Sequence, residues 1–440
     1  MSSIEIGLWS FPILMLLVFI RIPIGAAMLL VGIVGTYLVT GRWSPVLSQM
    51  KTVSWTDFSN YSFSIIPLFL LMGQFASRGG MSTALFKAAE AFLGHRKGGV
   101  AMAAVGACAG FGAICGSSLA TAGTMAQVAL PELRRYGYSP GLATATLAAG
   151  GTLGILIPPS VVLVIYAILA EQNIAKLFVA AFLPGLMAAL FYMIVIAVYA
   201  RVVPGSAGVK ERTPWHQRLK IVADVWPVSL IFFLVVGGIY LGWFTPTEAA
   251  AIGAAGTGLV AWLRGGLDWP ALQDCLKKTA ISSAMIFFII LGAGIYNSFL
   301  AFSQLPQNSA SWVVEQGFSP WTVLSIILIL YVIFGCFMDS MSMILLTVPI
   351  FFPIVSAMDF GLQYEEFALW FGILVLMVAE IGLITPPVGL NLFIINAMSS
   401  GTPIRQTYIG ILPFITADLV RVLLLVLFPA VSLVLVRALY

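Results

Sequence analysis

Charge is what this chain has least of. Its 440 residues hold 21 Lys and Arg and 17 Asp and Glu, 9% of the total, where soluble domains run near 25%. Sixty per cent of the residues are hydrophobic, and the mean hydropathy is +1.05. So little polar surface cannot cover a water-soluble core of this size. A soluble enzyme, a nucleic-acid binder and a disordered chain are excluded together. Histidine is nearly absent: His95 and His216 both sit in basic loops, so neither a clustered metal centre nor haem ligation is on offer. The four cysteines, Cys108, Cys115, Cys275 and Cys336, form no Cys-x-x-Cys, which argues against a zinc site or a disulfide framework. No Gly-x-x-x-x-Gly-Lys-Ser/Thr occurs, so there is no P-loop for ATP. Glu5 precedes an apolar run from Ile6, with no basic leader or small-residue cleavage site. The run is read as a retained first helix.

What the chain does have is apolar runs. Segments of spanning length lie near 4–20, 22–40, 60–77, 99–131, 142–170, 177–203, 221–244, 247–263, 279–303, 320–357, 366–398 and 408–436. Composition alone allows on the order of ten to thirteen passes. The longest polar loop, 204–220, carries Lys210, Arg212, Arg218 and Lys220 against Glu211, and the positive-inside rule puts it in the cytoplasm. It is too short for a water-soluble domain.

Propagating that side along the chain produces two conflicts. The loops 94–98 (His95, Arg96, Lys97) and 132–140 (Arg134, Arg135) are both basic and hence both cytoplasmic, yet one apolar stretch, 99–131, joins them. It is read as a re-entrant hairpin from the cytoplasmic side. Further on, 267–278 reads as a short amphipathic segment ending in Lys277 and Lys278 at the inner surface. The loops 304–319 and 358–366 carry no Lys or Arg and read as external, so 320–357 is a second hairpin, entering from outside.

The halves also echo one another. Gly154-Ile-Leu-Ile-Pro158-Pro159-Ser160 is matched by Gly382-Leu-Ile-Thr385-Pro386-Pro387-Val, and Ser117-Ser118 and Pro131 by Asp339-Ser340 and Pro353. Inverted repeats with interrupted helices meeting at the midplane are the architecture of ion-coupled secondary transporters. The first hairpin centres on Gly116-Ser117-Ser118-Leu-Ala-Thr121, the second on Asp339-Ser340-Met-Ser342. Carbonyl and hydroxyl oxygens at a broken helix are hard ligands suited to a monovalent cation, though small-residue packing would use the same residues. Each Pro-Pro pair removes two amide donors and forces a kink or unwinding. Unwound carbonyls there, with Thr152, Thr385, Asn391 and Asn396 facing the tips, would complete two cation sites. Candidate cation ligands are Ser117, Ser118, Thr121, Gly151 and Pro158 in the first half, and Asp339, Ser340, Gly382 and Thr385 in the second. Gly116, Ser160, Ser342, Pro387, Gly389, Asn391 and Asn396 would frame a substrate between them.

Intramembrane charges are candidates by default. Asp339 sits in a tip, and Glu380 precedes the second Pro-Pro break. Asp418 and Arg421 read as a structural i, i+3 pair, and Thr245-Pro-Thr-Glu248 as a capping box. Trp9, Trp43, Trp55, Trp215, Trp243, Trp312 and Trp321 suit interfacial belts.

These motifs, with Ile66-Pro67-Leu68-Phe69, Thr245-Pro-Thr-Glu248-Ala-Ala, Leu346-Thr-Val-Pro349 and Gly389-Leu-Asn391, resemble the large membrane subunit of tripartite ATP-independent periplasmic (TRAP) transporters from about residue 20 to 415. The resemblance implies a sodium-driven importer of elevator type, in the bacterial inner membrane, with sodium ions and no organic cofactor. It also implies two partners, a small four-helix membrane subunit and a periplasmic binding protein that delivers a small organic acid. The expected fold is an all-α polytopic membrane protein. Its parts are scaffold helices 1–60, a first repeat 61–203 with hairpin 99–131, a linking region 204–278 with a basic loop and amphipathic arm, and a second repeat 279–436 with hairpin 320–357. The nearest rival is a stand-alone sodium/dicarboxylate carrier. A channel fits the paired hairpins less well, and a membrane-embedded enzyme lacks a His or Cys constellation.

Overall fold

The computed structural model describes residues 2–440, and every regular element among them is helical. Four helices are long and apolar enough to cross a bilayer alone: Ile174–Val202, Trp269–Ser303, Tyr364–Leu383 and Ile404–Leu427. Two more crossings arise if bent pairs are joined, Pro140–Leu156 with Val161–Leu169 at 46° and Trp215–Ala223 with Trp226–Tyr240 at 49°. Much of the remaining apolar sequence is in shorter helices. The hairpin arms have 16 to 18 residues, about 24–27 Å of helix, less than the ~30 Å hydrocarbon core.

The stretch 99–131 divides into Gly99–Cys115 and a second arm, Ser118–Arg135, that runs four residues past the expected end. Gly116 ends the first arm in the left-handed region at φ +64°, and Ser117, extended, caps the second through the Ala120 amide. Only glycine takes that φ without strain. The arm bases meet, since the Val100 amide donates to the Tyr138 hydroxyl at 3.1 Å. The second hairpin comprises Pro320–Gly335 and Ser340–Ser356, with Asp339 capping the Ser342 amide. Its bases meet through Trp321 and Phe360, with ring centroids 5.5 Å apart.

The three basic loops gather at one end of the molecule. Lys210 donates its amide to the Gly94 carbonyl and Ser139 to that of Ser206. At the other end Lys176 pairs with Glu365 at 2.7 Å, beside the base of the second hairpin. The 29-residue helix Ile174–Val202 separates the two groups of contacts, by about 43 Å at ~1.5 Å per residue. The hairpin bases therefore lie at opposite ends. Cysteines introduced at the exposed positions Lys97 and Arg135 are expected to react with an impermeant maleimide from the same face, the four native cysteines being buried. Labelling from opposite faces would refute this arrangement.

Four expectations need correction. The amphipathic segment 267–278 is no separate element. It opens the continuous 35-residue helix Trp269–Ser303, capped by Asp268, because neither Lys277 nor Lys278 breaks a helix. The proposed boundary at 278/279 thus falls inside one rod, which packs along Ile24–Thr40 where Gly25 and Gly292 bring the backbones together. The external loop 304–319 is mostly the helix Leu305–Glu315, with Pro306 in the first turn, where its missing N–H costs nothing. The basic loop 204–220 ends in Trp215–Ala223. Finally, Trp43–Phe58 and Met81–Leu93 are helices that no long apolar run announces. Met81–Leu93 buries Met81, Ser82, Phe86, Glu90 and Ala91 along one face and exposes Lys87 and Phe92.

At the centre is Tyr364–Leu383, buried continuously from Phe367 to Leu383. It packs against both parts of the first Pro-Pro-interrupted helix, Pro140–Leu156 and Val161–Leu169, and against both arms of the second hairpin, and so carries Glu380 into the interior.

Candidate ion and substrate site

Both Pro-Pro pairs end a helix: Pro140–Leu156 stops before Pro158-Pro159, Tyr364–Leu383 before Pro386-Pro387, and Val161–Leu169 and Leu390–Met398 follow. Each hairpin tip lies against the break of its own half. In the first half, a Cβ placed on Gly116 would lie 3.2 Å from the Pro159 carbonyl. In the second, the Gly389 amide donates to the Cys336 carbonyl at 3.3 Å, and Cys336 Sγ lies 3.8 Å from the Pro386 carbonyl.

The two tips share one cavity of about 410 Å³. Gly116, Ser117, Ser118, Asp339 and Ser340 line it. Its opposite wall comes from Gln74 and Ser77 on Ile65–Arg78 and from Ser282 and Ile286 on the long helix. Asp339 is the one ionisable carboxylate among the lining residues, and none of them is Lys, Arg or His. Positive potential is supplied instead by helix N-termini, since Ser118–Arg135, Val161–Leu169 and Ser340–Ser356 all start there.

Beneath the first tip is a built oxygen pocket. Thr121 is fully buried, and its Oγ1 has no hydrogen-bond partner. Thr121 Oγ1 and the Ser117 carbonyl both face Gly154, where an added Cβ would lie 2.5 and 2.7 Å from them. Gly151 packs on Ala122, and its added Cβ would lie 3.2 Å from the Ser118 carbonyl. An orphaned buried hydroxyl beside two carbonyls, kept open by Gly154, is the donor set a small hard cation takes. In the second half Gly335 crosses Gly382 backbone to backbone. Thr385 gives its hydroxyl proton to Ile381 O at 2.6 Å, keeping its lone pairs free. Asp339 Oδ1 accepts from Ser342 Oγ at 2.5 Å.

Other sequence candidates are placed elsewhere. Thr152 faces away from the tip and contacts the Tyr192 hydroxyl at 3.0 Å, which in turn donates to Asp418. Asn396 Oδ1 accepts from Thr407 at 3.1 Å, in the part of its helix that approaches Arg134 through Ser399. The Pro387 carbonyl accepts from Tyr408 at 2.7 Å, with the Pro387 side chain exposed. Asn391 is buried and donates to Ala148 O at 3.3 Å, leaving its Oδ1 without a partner. Ser160 and Pro158 are buried beneath the first tip, and Ser160 caps its helix at the Leu163 amide. Asp418 and Arg421 form the expected pair at 2.8 Å, both completely buried.

Sequence reasoning ranked Glu380 too low. It is 1% exposed. One oxygen accepts from Ser118 in the first tip, and the other accepts from Ser340 in the second at 2.6 Å. A lone acid in an apolar run was the only signal. Gln74, Ser77, Thr124 and Ser282 also line the cavity unannounced, as single polar residues in apolar helices.

The architecture defines a class, the polytopic helical membrane protein. It superposes on the YdaH transporter of Alcanivorax borkumensis with a TM-score of 0.64 at 15% identity, covering 88% of this chain and 89% of that one. The sequence is more specific. The chain belongs to the family described as the DctM component of tripartite ATP-independent periplasmic transporters, whose model matches residues 11–431. It is 40% identical over 379 residues to the C4-dicarboxylate TRAP transporter large permease protein DctM of Pseudomonas aeruginosa, covering 86% of each. It is 30% identical over 426 residues to the isethionate TRAP transporter permease protein DctMQ of Oleidesulfovibrio alaskensis, spanning 96% of this chain and 65% of that longer one. It is a large permease of a secondary transporter, and its relatives are named as permeases.

Proposed function

We propose that this permease imports a small organic acid across the bacterial inner membrane by sodium symport, taking it from a periplasmic binding protein. The observation that carries the reading is the shared cavity, with two polar hairpin tips, two broken helices and no basic side chain. A carboxylate entering it finds helix N-termini but no counter-ion. Bringing an uncompensated anion into a low-dielectric site is costly, and cations bound beneath each tip would offset that cost. One site would use Ser117, Ser118, Thr121, Gly151 and Pro158, the other Asp339, Ser340, Gly382 and Thr385. Gly116 would border the substrate in the cavity wall, with Ser160, Ser342, Gly389 and Asn391 supporting that wall from behind. The opposed hairpin bases support an inverted repeat with one gate per membrane side. In an elevator cycle the hairpins and broken helices would move against a scaffold formed by 1–60, 204–278 and the long helix. The DctMQ relative has about a third of its length unmatched, which supports a small membrane subunit as a partner.

The test is uptake into proteoliposomes with the small subunit and the binding protein omitted in turn. Sodium-dependent accumulation is expected only with all three components. Robust accumulation by the lone chain would sink the tripartite reading in favour of the stand-alone carrier. In the full system, Ser118→Ala and Thr385→Ala should each raise half-saturating sodium about tenfold, the scale of one good hydrogen-bonding or ligating group. Unchanged sodium activation in both would return these residues to packing.

A further inference from the structure

The carboxylate that joins the two tips is not itself in the cavity wall, and both its oxygens already accept a hydroxyl. A serine hydroxyl has one proton and two lone pairs. With each proton committed to Glu380, Ser118 and Ser340 can offer a neighbouring cation only lone pairs. Each serine is also the first residue of a helix, Ser118–Arg135 and Ser340–Ser356. The positive end of the helix dipole there opposes cation binding, and the carboxylate behind the hydroxyls counters it.

We propose, on the sodium-coupled reading above, that Glu380 is a positioning residue. It fixes the hydroxyl protons of Ser118 and Ser340 and makes the two tips one cooperative cation-binding unit. Opening either tip breaks one of its two bonds and frees the other serine's partner to reorient, so the sites communicate through a single side chain.

Glu380→Gln keeps the shape but not the function, because an amide has one accepting atom and must donate at the other. One serine then has to turn its proton toward the site. In the complete transporter, half-saturating sodium should rise about tenfold, the scale of one charge-assisted hydrogen bond, and the Hill coefficient should fall toward one. Glu380→Asp, which keeps the charge, should recover part of the affinity. A merely structural role would lower folded yield and leave half-saturation and Hill coefficient unchanged. Thermal stabilisation of the purified protein by sodium over potassium gives a readout without transport. If Glu380→Gln does not fold, Ser118→Ala, Ser340→Ala and the double variant carry the same test. Coupling through Glu380 requires their effects on sodium stabilisation to be non-additive, and strict additivity overturns it. A wild type indifferent to sodium defeats the symport reading. A responsive wild type with an unchanged Glu380→Gln defeats only this inference.

Discussion

Gly154→Ala should raise the sodium needed for half-maximal uptake steeply while the protein still reaches the membrane. The methyl group would sit 2.5 Å from Thr121 Oγ1 and 2.7 Å from the Ser117 carbonyl, inside the pocket assigned to the first cation. Neither neighbour can swing aside easily: one is backbone, and the other belongs to a fully buried side chain. Overpacking a close contact costs roughly 1–3 kcal/mol, which as lost sodium affinity is a 5- to 150-fold rise in half-saturating concentration, at about 1.4 kcal/mol per tenfold. Gly123→Ala is the control, since Gly123 is on the same arm as Thr121 with nothing within 4 Å of its added Cβ. Sodium titrations of uptake in the two variants decide the matter. If Gly154→Ala titrates like Gly123→Ala, the pocket is not a cation site.

The largest effect on stability should come from Asp418→Ala. Asp418 lies 2.8 Å from Arg421 Nη2 and accepts from Tyr192 at 2.7 Å. Arg421 Nε and Nη1 have no acceptor of their own, and the guanidinium stacks 5.8 Å from the Tyr192 ring centre. Removing the carboxylate strands a buried cation, and breaking such a pair costs about 3–5 kcal/mol. Arg421→Met strands Asp418 in turn. Replacing both partners with apolar residues removes both charges and should be milder than either single change. The melting temperature in detergent, followed by size-exclusion chromatography, measures all three. Single variants as stable as wild type would mean the pair is solvated in a way the fold does not suggest.

Much of this molecule was legible along the chain because its instructions are local. Pro158-Pro159 and Pro386-Pro387 interrupt a helix whatever surrounds them. Gly116 followed by Ser117 stops one helix and caps the next, and Asp339 repeats the cap in the second half. The placement of Lys and Arg, weighed against the lipid, separated the loops into two sets before any contact was known. The capping box at Thr245 and Glu248 formed as read, both bonds present.

The rest depended on partners distant in sequence. Thr152 looked like a tip-facing hydroxyl, but it hydrogen-bonds Tyr192, 40 residues away. Asn396 looked free until Thr407 turned toward it. Neither orientation is encoded in a short window, because a helix offers several faces and only packing selects one. The wall of the cavity formed by Gln74, Ser77 and Ser282 likewise exists only once the long helix lies beside Ile65–Arg78. Glu380 is the clearest case: its partners, Ser118 and Ser340, are 262 and 40 residues away. The sequence by itself determined where the helices break and where the basic loops fall, since backbone geometry and charge placement are properties of a few adjacent residues. Only the tertiary structure decided that one buried carboxylate holds both tips, because a hydrogen bond between remote segments requires their packing first.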